Sequence, residues 1–323
     1  MLSKTLCSFI LSFLVVSVLT PLFGKIAVKL GIFDRPDDPS LKIHRKPIPY
    51  LGGASIFVAL ILSTYLFGDA AYPFLAAMTL IFLLGLIDDI RGLAPGVRLA
   101  IEAIAAFLFL YTVRDAGPIL MGLFFLLLLA TVNSVNLIDG LDGLASGTAA
   151  IAAAGFAVIS LISGNHQVLL LSVALIGATI AFLFYNFHPA RIFLGDAGSY
   201  LLGFSLAVLL VLTSKDLRSL VASLFFIGIF GLDTSLAIVR RLVNGKPIFQ
   251  GDRSHLYDQI MDRTGSHKKA VLICYLLEAL FVATGILSFL LPGVHALIFF
   301  LLFWSGVWTI LKRENFIKRE RTA

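Results

Sequence analysis

The 323-residue chain is 59% hydrophobic and only 14% charged, with a mean hydropathy of +0.98, whereas soluble domains carry roughly a quarter charged residues. That balance excludes a soluble globular domain and predicts an integral membrane protein. The net charge of +6 reads as basic loops held on one side of a membrane and makes no case for nucleic-acid binding.

Apolar stretches approaching the roughly 20 residues that a spanning helix needs recur near 3–23, 51–67, 72–90, 99–113, 117–133, 147–163, 167–186, 199–213, 219–239, 269–290 and 294–311. They predict an all-α, polytopic membrane protein with about eleven transmembrane helices. Little chain is left beyond loops, so residues 1–323 form a single transmembrane domain with chemistry-bearing loops at 24–50, 88–98, 133–147, 186–199 and 240–269. The first stretch has one preceding lysine and no small-residue cleavage pattern, and it is followed by Lys25, so it reads as a first span and not as a cleaved leader. Assigning alternate loops to opposite sides leaves only Lys4, Arg114, Lys215 and Arg218 on one face, out of 25 Lys and Arg. Basic loops are retained in the cytoplasm, so the amino terminus is placed outside and the carboxyl terminus inside. Cys7 and Cys274 lie within apolar stretches without metal-ligand spacing and read as inert packing thiols.

The polar residues gather at helix ends on the face placed inside. Between the first two spans, four prolines interrupt a segment carrying Lys42, His44, Arg45 and Lys46 before Gly52 and Gly53. Its basic half can grip a phosphate, and paired glycines let backbone amides approach an anion at a helix start; an ordinary basic loop accounts for it equally well. Asp88 and Asp89 close the third span. Adjacent helical residues point about 100° apart, so the two acids offer two roles and cannot chelate one ion unaided. Both oppose the negative end of the helix dipole, where simple solubility would favour lysine.

The fifth span ends in Asn133, Asn136, Asp139 and Asp142, with Gly140 and Gly143 between and after the acids. Positions three apart share a helical face, so this row presents side-chain oxygens together. The spacing is not that of an EF-hand. After the seventh span, Asn186, Phe193, Gly195, Asp196 and Gly198 precede a new helix. Glycines at a helix start suit phosphate, with the carboxylate facing a metal and Phe193 placed to stack on a base. Asp233 within the ninth span is an intramembrane carboxylate, which implies function or a buried pair; Glu102 and Glu278 read as hydrogen-bonded helix packing. The loop after the ninth span carries Arg240, Arg241, Lys246, Arg253 and His255, cations suited to a diphosphate.

In order, from about Gly31 to Lys269, these segments resemble the polyprenyl-phosphate N-acetylhexosamine-1-phosphate transferases, glycosyltransferase family 4. The eleven-span topology looks closest to the undecaprenyl-phosphate GlcNAc-1-phosphate branch. The resemblance implies Mg2+-dependent, or Mn2+-dependent, transfer of an N-acetylhexosamine-1-phosphate from a UDP-sugar to undecaprenyl phosphate, with UMP released. It implies a multi-pass enzyme of the bacterial plasma membrane, its active site facing the cytoplasm, at the first membrane step of a cell-envelope glycan such as lipopolysaccharide or teichoic acid; a homodimer is compatible with it. Carried over by position, Asp88 and Asp89 match the family's paired acids, Asp196 its magnesium aspartate, and Asn136 and Asp139 residues lining the metal and diphosphate. Asp142, Asn186 and Phe193 match residues around the uracil, and Asp233 an aspartate of the same span. Arg98 stands in place of a lysine near the phosphates, with Lys46, Arg253 and His255 as further substrate or catalytic groups. The sequence departs from the family at His255, Leu256, Tyr257 and Asp258, where a His-x-His-His run is usual, and at Gly96, where another lysine is usual.

An acceptor phosphomonoester with a second pKa near about 6 is mostly dianionic at neutral pH. Direct in-line attack is therefore expected, with Asp88 or Asp89 orienting the acceptor or taking its residual proton; a two-step route through an aspartyl-phosphate competes with it. The other readings are phospho-N-acetylmuramoyl-pentapeptide transferase, a secondary transporter and a catalytically silent scaffold. A transporter would bind near the midplane between repeated halves, whereas the acids here crowd helix ends and no repeat is visible.

Overall fold

A computed structural model describes residues 2–34, 47–68, 72–113, 117–245, 247 and 255–317. The chain runs α1 (Leu2–Leu30), β1 (Phe33–Asp34), β2 (Ile48–Pro49), α2 (Gly52–Phe67), α3 (Tyr72–Arg91), α4 (Pro95–Leu110), α5 (Pro118–Ile138), α6 (Leu144–Ser163), α7 (His166–Asn186), α8 (Gly195–Thr213), α9 (Leu217–Phe226), α10 (Gly228–Val243), α11 (Leu256–Thr264), α12 (His267–Phe289) and α13 (Gly293–Arg313). Among the described residues the only sheet is the two-residue antiparallel ladder of β1 and β2.

Nine of these helices are long and apolar enough to cross a membrane, counting α4 with the 3-10 turn Tyr111–Val113 that extends it, or ten if α9 and α10 form one span. That differs from the expected eleven in two places. The apolar helix α2 has 16 residues, short of a full crossing, and the stretch expected as one helix at 219–239 is two helices bent by 71°. The bend falls at Ile227 and Gly228, where the Ile229 amide leaves the helical ladder and donates to Glu278 Oε2 on α12 at 3.1 Å. An interrupted helix inside an apolar bundle needs such a partner, so Glu278 holds the break in addition to packing α12.

Helix α8 is the axis of the bundle: 94% of its apolar stretch is buried, against 11% for α13. Small residues allow its amino-terminal turn to approach α2 and α3 closely. A Cβ on Gly53 would sit 2.3 Å from the Gly198 amide nitrogen, and one on Gly85 would sit 2.4 Å from Ala197 Cα. Backbone therefore meets backbone at the point where Asp196 enters the helix. Around this axis, Tyr200, Phe204, Phe109, Phe124 and Phe182 pack in one continuous core.

Candidate active site

The connections α1–α2, α5–α6 and α7–α8, the end of α3 and the start of α12 meet at one end of the bundle. They enclose a cavity of about 940 Å3 lined by Asp34, Tyr50, Asp88, Asp89, Asn136, Asp139, Asp142, Asn186, His188, Phe193, Asp196 and His267, among others. This lies at the upper end of the size range of small-molecule sites.

Each acid has a distinct environment. Asp88 is buried, with Oδ1 accepting from the Leu93 amide at 2.7 Å and Oδ2 from Arg98 and the Tyr200 hydroxyl at 3.0 and 2.9 Å. It thereby ties the α3–α4 turn to α8. Asp89 turns the other way and accepts from the Asp196 amide at 2.8 Å and the Ala197 amide at 3.1 Å. The first amides of α8 were expected to point at a bound phosphate; they point at this carboxylate. Exposed donors at a helix start attract an anion, and the protein supplies its own. Gly195 at φ 72° makes the turn, and a Cβ there would meet Asp89 Oδ2 at 2.6 Å.

The Gly52–Gly53 turn departs from expectation in the same way. Gly52 donates to the Phe193 carbonyl at 3.1 Å and Gly53 to the Leu194 carbonyl at 3.0 Å, while the Phe193 amide donates to the Pro49 carbonyl. These glycines dock the first connection onto the third and leave no amide pair for a phosphate. Their effect is to place Tyr50 in the cavity, its ring 6.3 Å from that of Phe193. Burial, then the adjacent Asp34, pushes the Tyr50 phenol above its ordinary value.

On α5, the expected row of oxygens divides. Asn133 turns to Glu102 Oε2 and stays out of the cavity lining, whereas Asn136 donates to Asp196 Oδ1 at 2.7 Å and to Ser199 Oγ at 2.9 Å. The helix ends at Ile138, and Asp139, at φ −77° and ψ 44°, leaves the helical face. Its carboxylate has no hydrogen bond among the described residues. The residue is half-buried and lines the cavity. Burial first, then the charges of Asp196, Asp89 and Asp142, pushes that carboxyl well above the ordinary carboxylate range. Four carboxylates thus converge, and the one without hydrogen bonds lies among the other three.

Asp142 accepts from His188 Nδ1 at 2.7 Å and the Ala190 amide at 3.0 Å. Asn186 is buried and joins two connections, accepting from the Gly143 amide and donating to the Ile192 carbonyl. Arg98 reaches Asp88 but lies outside the cavity lining. His255 also lies outside it, with Nδ1 2.7 Å from Asp233 Oδ2, so Asp233 has the buried partner its position implied. Lys46 and Arg253, together with Lys42, His44, Arg45 and Lys246, lie outside the described residues. Where the family's histidine run is altered, the Tyr257 hydroxyl donates to the Leu137 carbonyl at 3.3 Å and Asp258 accepts from the His255 amide.

Asp34, Tyr50, His188, Arg191 and His267 line the cavity without having been singled out. His188 stands inside the motif between Asn186 and Phe193 and could have been found there; nothing local marks His267. A dication fits the oxygen-rich part of this site, where Asp139 and Asp196 offer carboxylates and the amide hydrogens of Asn136 already serve Asp196 and Ser199. Such a set of oxygens suits a hard ion such as Mg2+.

Fold and site define a polytopic, multi-pass membrane protein with one acidic cavity at a bundle end. Residues 71–214 match the model of glycosyl transferase family 4. The chain is 35% identical over 304 residues to the probable undecaprenyl-phosphate N-acetylglucosaminyl 1-phosphate transferase of Bacillus subtilis (strain 168), covering 88% of this chain and 84% of that protein. It is 29% identical over 313 residues to the phospho-N-acetylmuramoyl-pentapeptide-transferase of Anoxybacillus flavithermus, covering 85% and 95%. With the undecaprenyl-phosphate alpha-N-acetylglucosaminyl 1-phosphate transferase of Salmonella typhi it shares 28% over 340 residues, covering 95% and 92%. The chain belongs to glycosyl transferase family 4.

Proposed function

We propose that this protein transfers an N-acetylhexosamine-1-phosphate, GlcNAc-1-phosphate in the first instance, from a UDP-sugar to undecaprenyl phosphate. The observation that carries this reading is the convergence of Asp89, Asp139, Asp142 and Asp196 on one cavity at a helix-bundle end. Carboxylates gathered so closely imply a cationic partner, and a diphosphate with its dication supplies one.

An oxygen of the lipid phosphate attacks the sugar-bearing phosphorus. The bond from that phosphorus to the bridging oxygen breaks, and UMP leaves with the oxygen, so the lipid product is a diphosphate. Asp139 and Asp196, with Asn136, would hold Mg2+ or Mn2+, which when bound supplies charge compensation for the diphosphate. Asn136 fixes the rotamer of Asp196, and Asp89 fixes the helix start from which Asp196 projects. Asp88 has both carboxylate oxygens in hydrogen bonds, so it acts by positioning. Tyr50 and Phe193 form an aromatic wall for a base.

The topology that accompanies this reading has eleven spans, with α2 as a short crossing and the bent α9–α10 pair as one, the amino terminus outside and the cavity facing the cytoplasm. A bacterial inner membrane and a cell-envelope glycan such as lipopolysaccharide or teichoic acid are the setting. The muramoyl-pentapeptide donor is disfavoured by the lower identity to that transferase, 29% against 35% for the GlcNAc-1-phosphate relative. A transporter is disfavoured by a cavity built from helix ends. Asp196→Asn tests the enzyme reading: transfer is expected to fall below detection while membrane insertion and thermal stability persist, and an active variant contradicts the assignment.

A further inference from the structure

A second group of ligating side chains lies in the same cavity, on the side where Asp142 turns from the other carboxylates toward two histidines. Asp142, His188 and His267 each offer one ligand atom, and the three atoms lie within 4.8 Å of one another. The imidazoles of His188 and His267 stack with centroids 4.1 Å apart and planes inclined by 20°. Their rings therefore lie side by side, one from the α7–α8 connection and the other from the first residue of α12.

A separate observation points to a ligand. Both ring nitrogens of His267 are shielded from solvent and neither makes a well-aligned hydrogen bond, although the ring lies against the backbone of Asp142. A neutral imidazole carries one lone pair and one N–H, and leaving both unmatched in a buried place is costly. A structural histidine would have one nitrogen donating squarely to a carbonyl or carboxylate; His188 has such a bond, to Asp142, whereas His267 has only a poorly aligned approach to the Asp142 backbone.

The donor set discriminates among ions. Two imidazoles and a carboxylate suit Zn2+ and the later first-row dications, whereas Mg2+ prefers oxygen and gives up its water reluctantly. We propose that Asp142, His188 and His267 form a transition-metal site for a Zn2+-type dication, distinct from the oxygen-rich site of Asp139 and Asp196. Asp142 Oδ2 and His188 Nδ1 stand 2.7 Å apart across a hydrogen bond. Ligands about 2.0–2.1 Å from zinc in a tetrahedral arrangement stand about 3.3 Å apart, so the cation replaces the shared proton and the pair opens by a fraction of an ångström. All three residues line the cavity, so a fourth position would be open to it. One consequence rests on the transfer reading: a dication here occupies the end of the cavity beside Pro189 and Arg191 and competes with the UDP-sugar.

The metal site is tested by titrating Co2+ into the detergent-purified full chain and following the visible absorption of nitrogen-ligated cobalt, with Zn2+ and Mg2+ as competitors. One saturable equivalent is expected, displaced by stoichiometric Zn2+ and untouched by millimolar Mg2+. Its affinity should fall at least about tenfold in His267→Gln and, independently, in His188→Asn, each checked by thermal melting, and should persist in Asp196→Asn. Absence of the band, equal affinity in either folded histidine variant, or loss of the site in Asp196→Asn overturns the proposal. This readout needs neither donor nor acceptor, so it stands or falls separately from the transfer activity.

Discussion

Asp89 caps helix α8 from a different helix, holding the backbone amide of Asp196 at 2.8 Å with one oxygen and that of Ala197 at 3.1 Å with the other. The acid that closes α3 thus sets the position of the acid that opens α8. Removing a capping carboxylate costs about 1 kcal/mol, and more where the amides stay buried. Asp89→Ala is expected to lower the melting temperature and reduce transfer by about 100-fold, the penalty of displacing a reacting group by about an ångström. Asp89→Asn keeps one acceptor oxygen and should melt nearer to the parent. Differential scanning fluorimetry beside a UMP-release assay separates the two effects.

Tyr200 tests positioning behind the site. Its buried hydroxyl donates to Asp88 Oδ2 at 2.9 Å beside Arg98. Tyr200→Phe deletes that donor with little change of shape, so a stability loss of about 1 kcal/mol is expected. Transfer should slow several-fold with the apparent donor KM nearly unchanged, measured by steady-state kinetics.

Gly53→Ala probes the close approach of α2 to α8. The added methyl would stand 2.3 Å from the Gly198 nitrogen, which is backbone and cannot rotate away. Overpacking of this kind costs about 1–3 kcal/mol. The variant is expected to melt earlier and lose activity, whereas Gly231→Ala, which meets nothing within 4 Å, should leave the melting temperature unchanged.

Asp139 sets a pH dependence. Its carboxyl is held well above the ordinary 3.8 by burial and by Asp196, Asp89 and Asp142. Folded chain therefore binds more protons than unfolded chain once pH exceeds about 3.8, and stability falls as pH rises through that interval until the raised pKa is passed. In EDTA the melting temperature is expected to fall from pH 5 toward pH 8. Mg2+ should restore it, more strongly at the higher pH, because a ligating carboxylate must be ionised. Asp139→Asn should flatten both dependences, as read from melting curves with and without Mg2+.

Much of this fold was legible because apolar length and polar helix ends are local properties. The pairing of Asp88 and Asp89 with different partners followed from the angle between adjacent helical residues, and the structure sends them to Arg98 and to α8. What could not be read locally were partners distant in sequence. Gly52 and Gly53 look like an anion cradle until Phe193 and Leu194 supply carbonyls for their amides. His267 looks like an ordinary helix start until α12 brings it against His188. The bend at Gly228 was hidden inside an apolar run because the group that accepts the released amide, Glu278, lies on another helix.

The central claim is that this cavity joins a sugar phosphate to a lipid phosphate. Its most direct test is to incubate detergent-purified chain with undecaprenyl phosphate, Mg2+ and a panel of UDP-N-acetylhexosamines, and to quantify UMP and the lipid product together. The expected result is UMP released one-for-one with an undecaprenyl diphosphate sugar, dependent on both lipid and Mg2+, greatest with UDP-GlcNAc and absent in Asp196→Asn. Folded protein that releases no UMP with any donor, or a release that Asp196→Asn leaves unchanged, would contradict it.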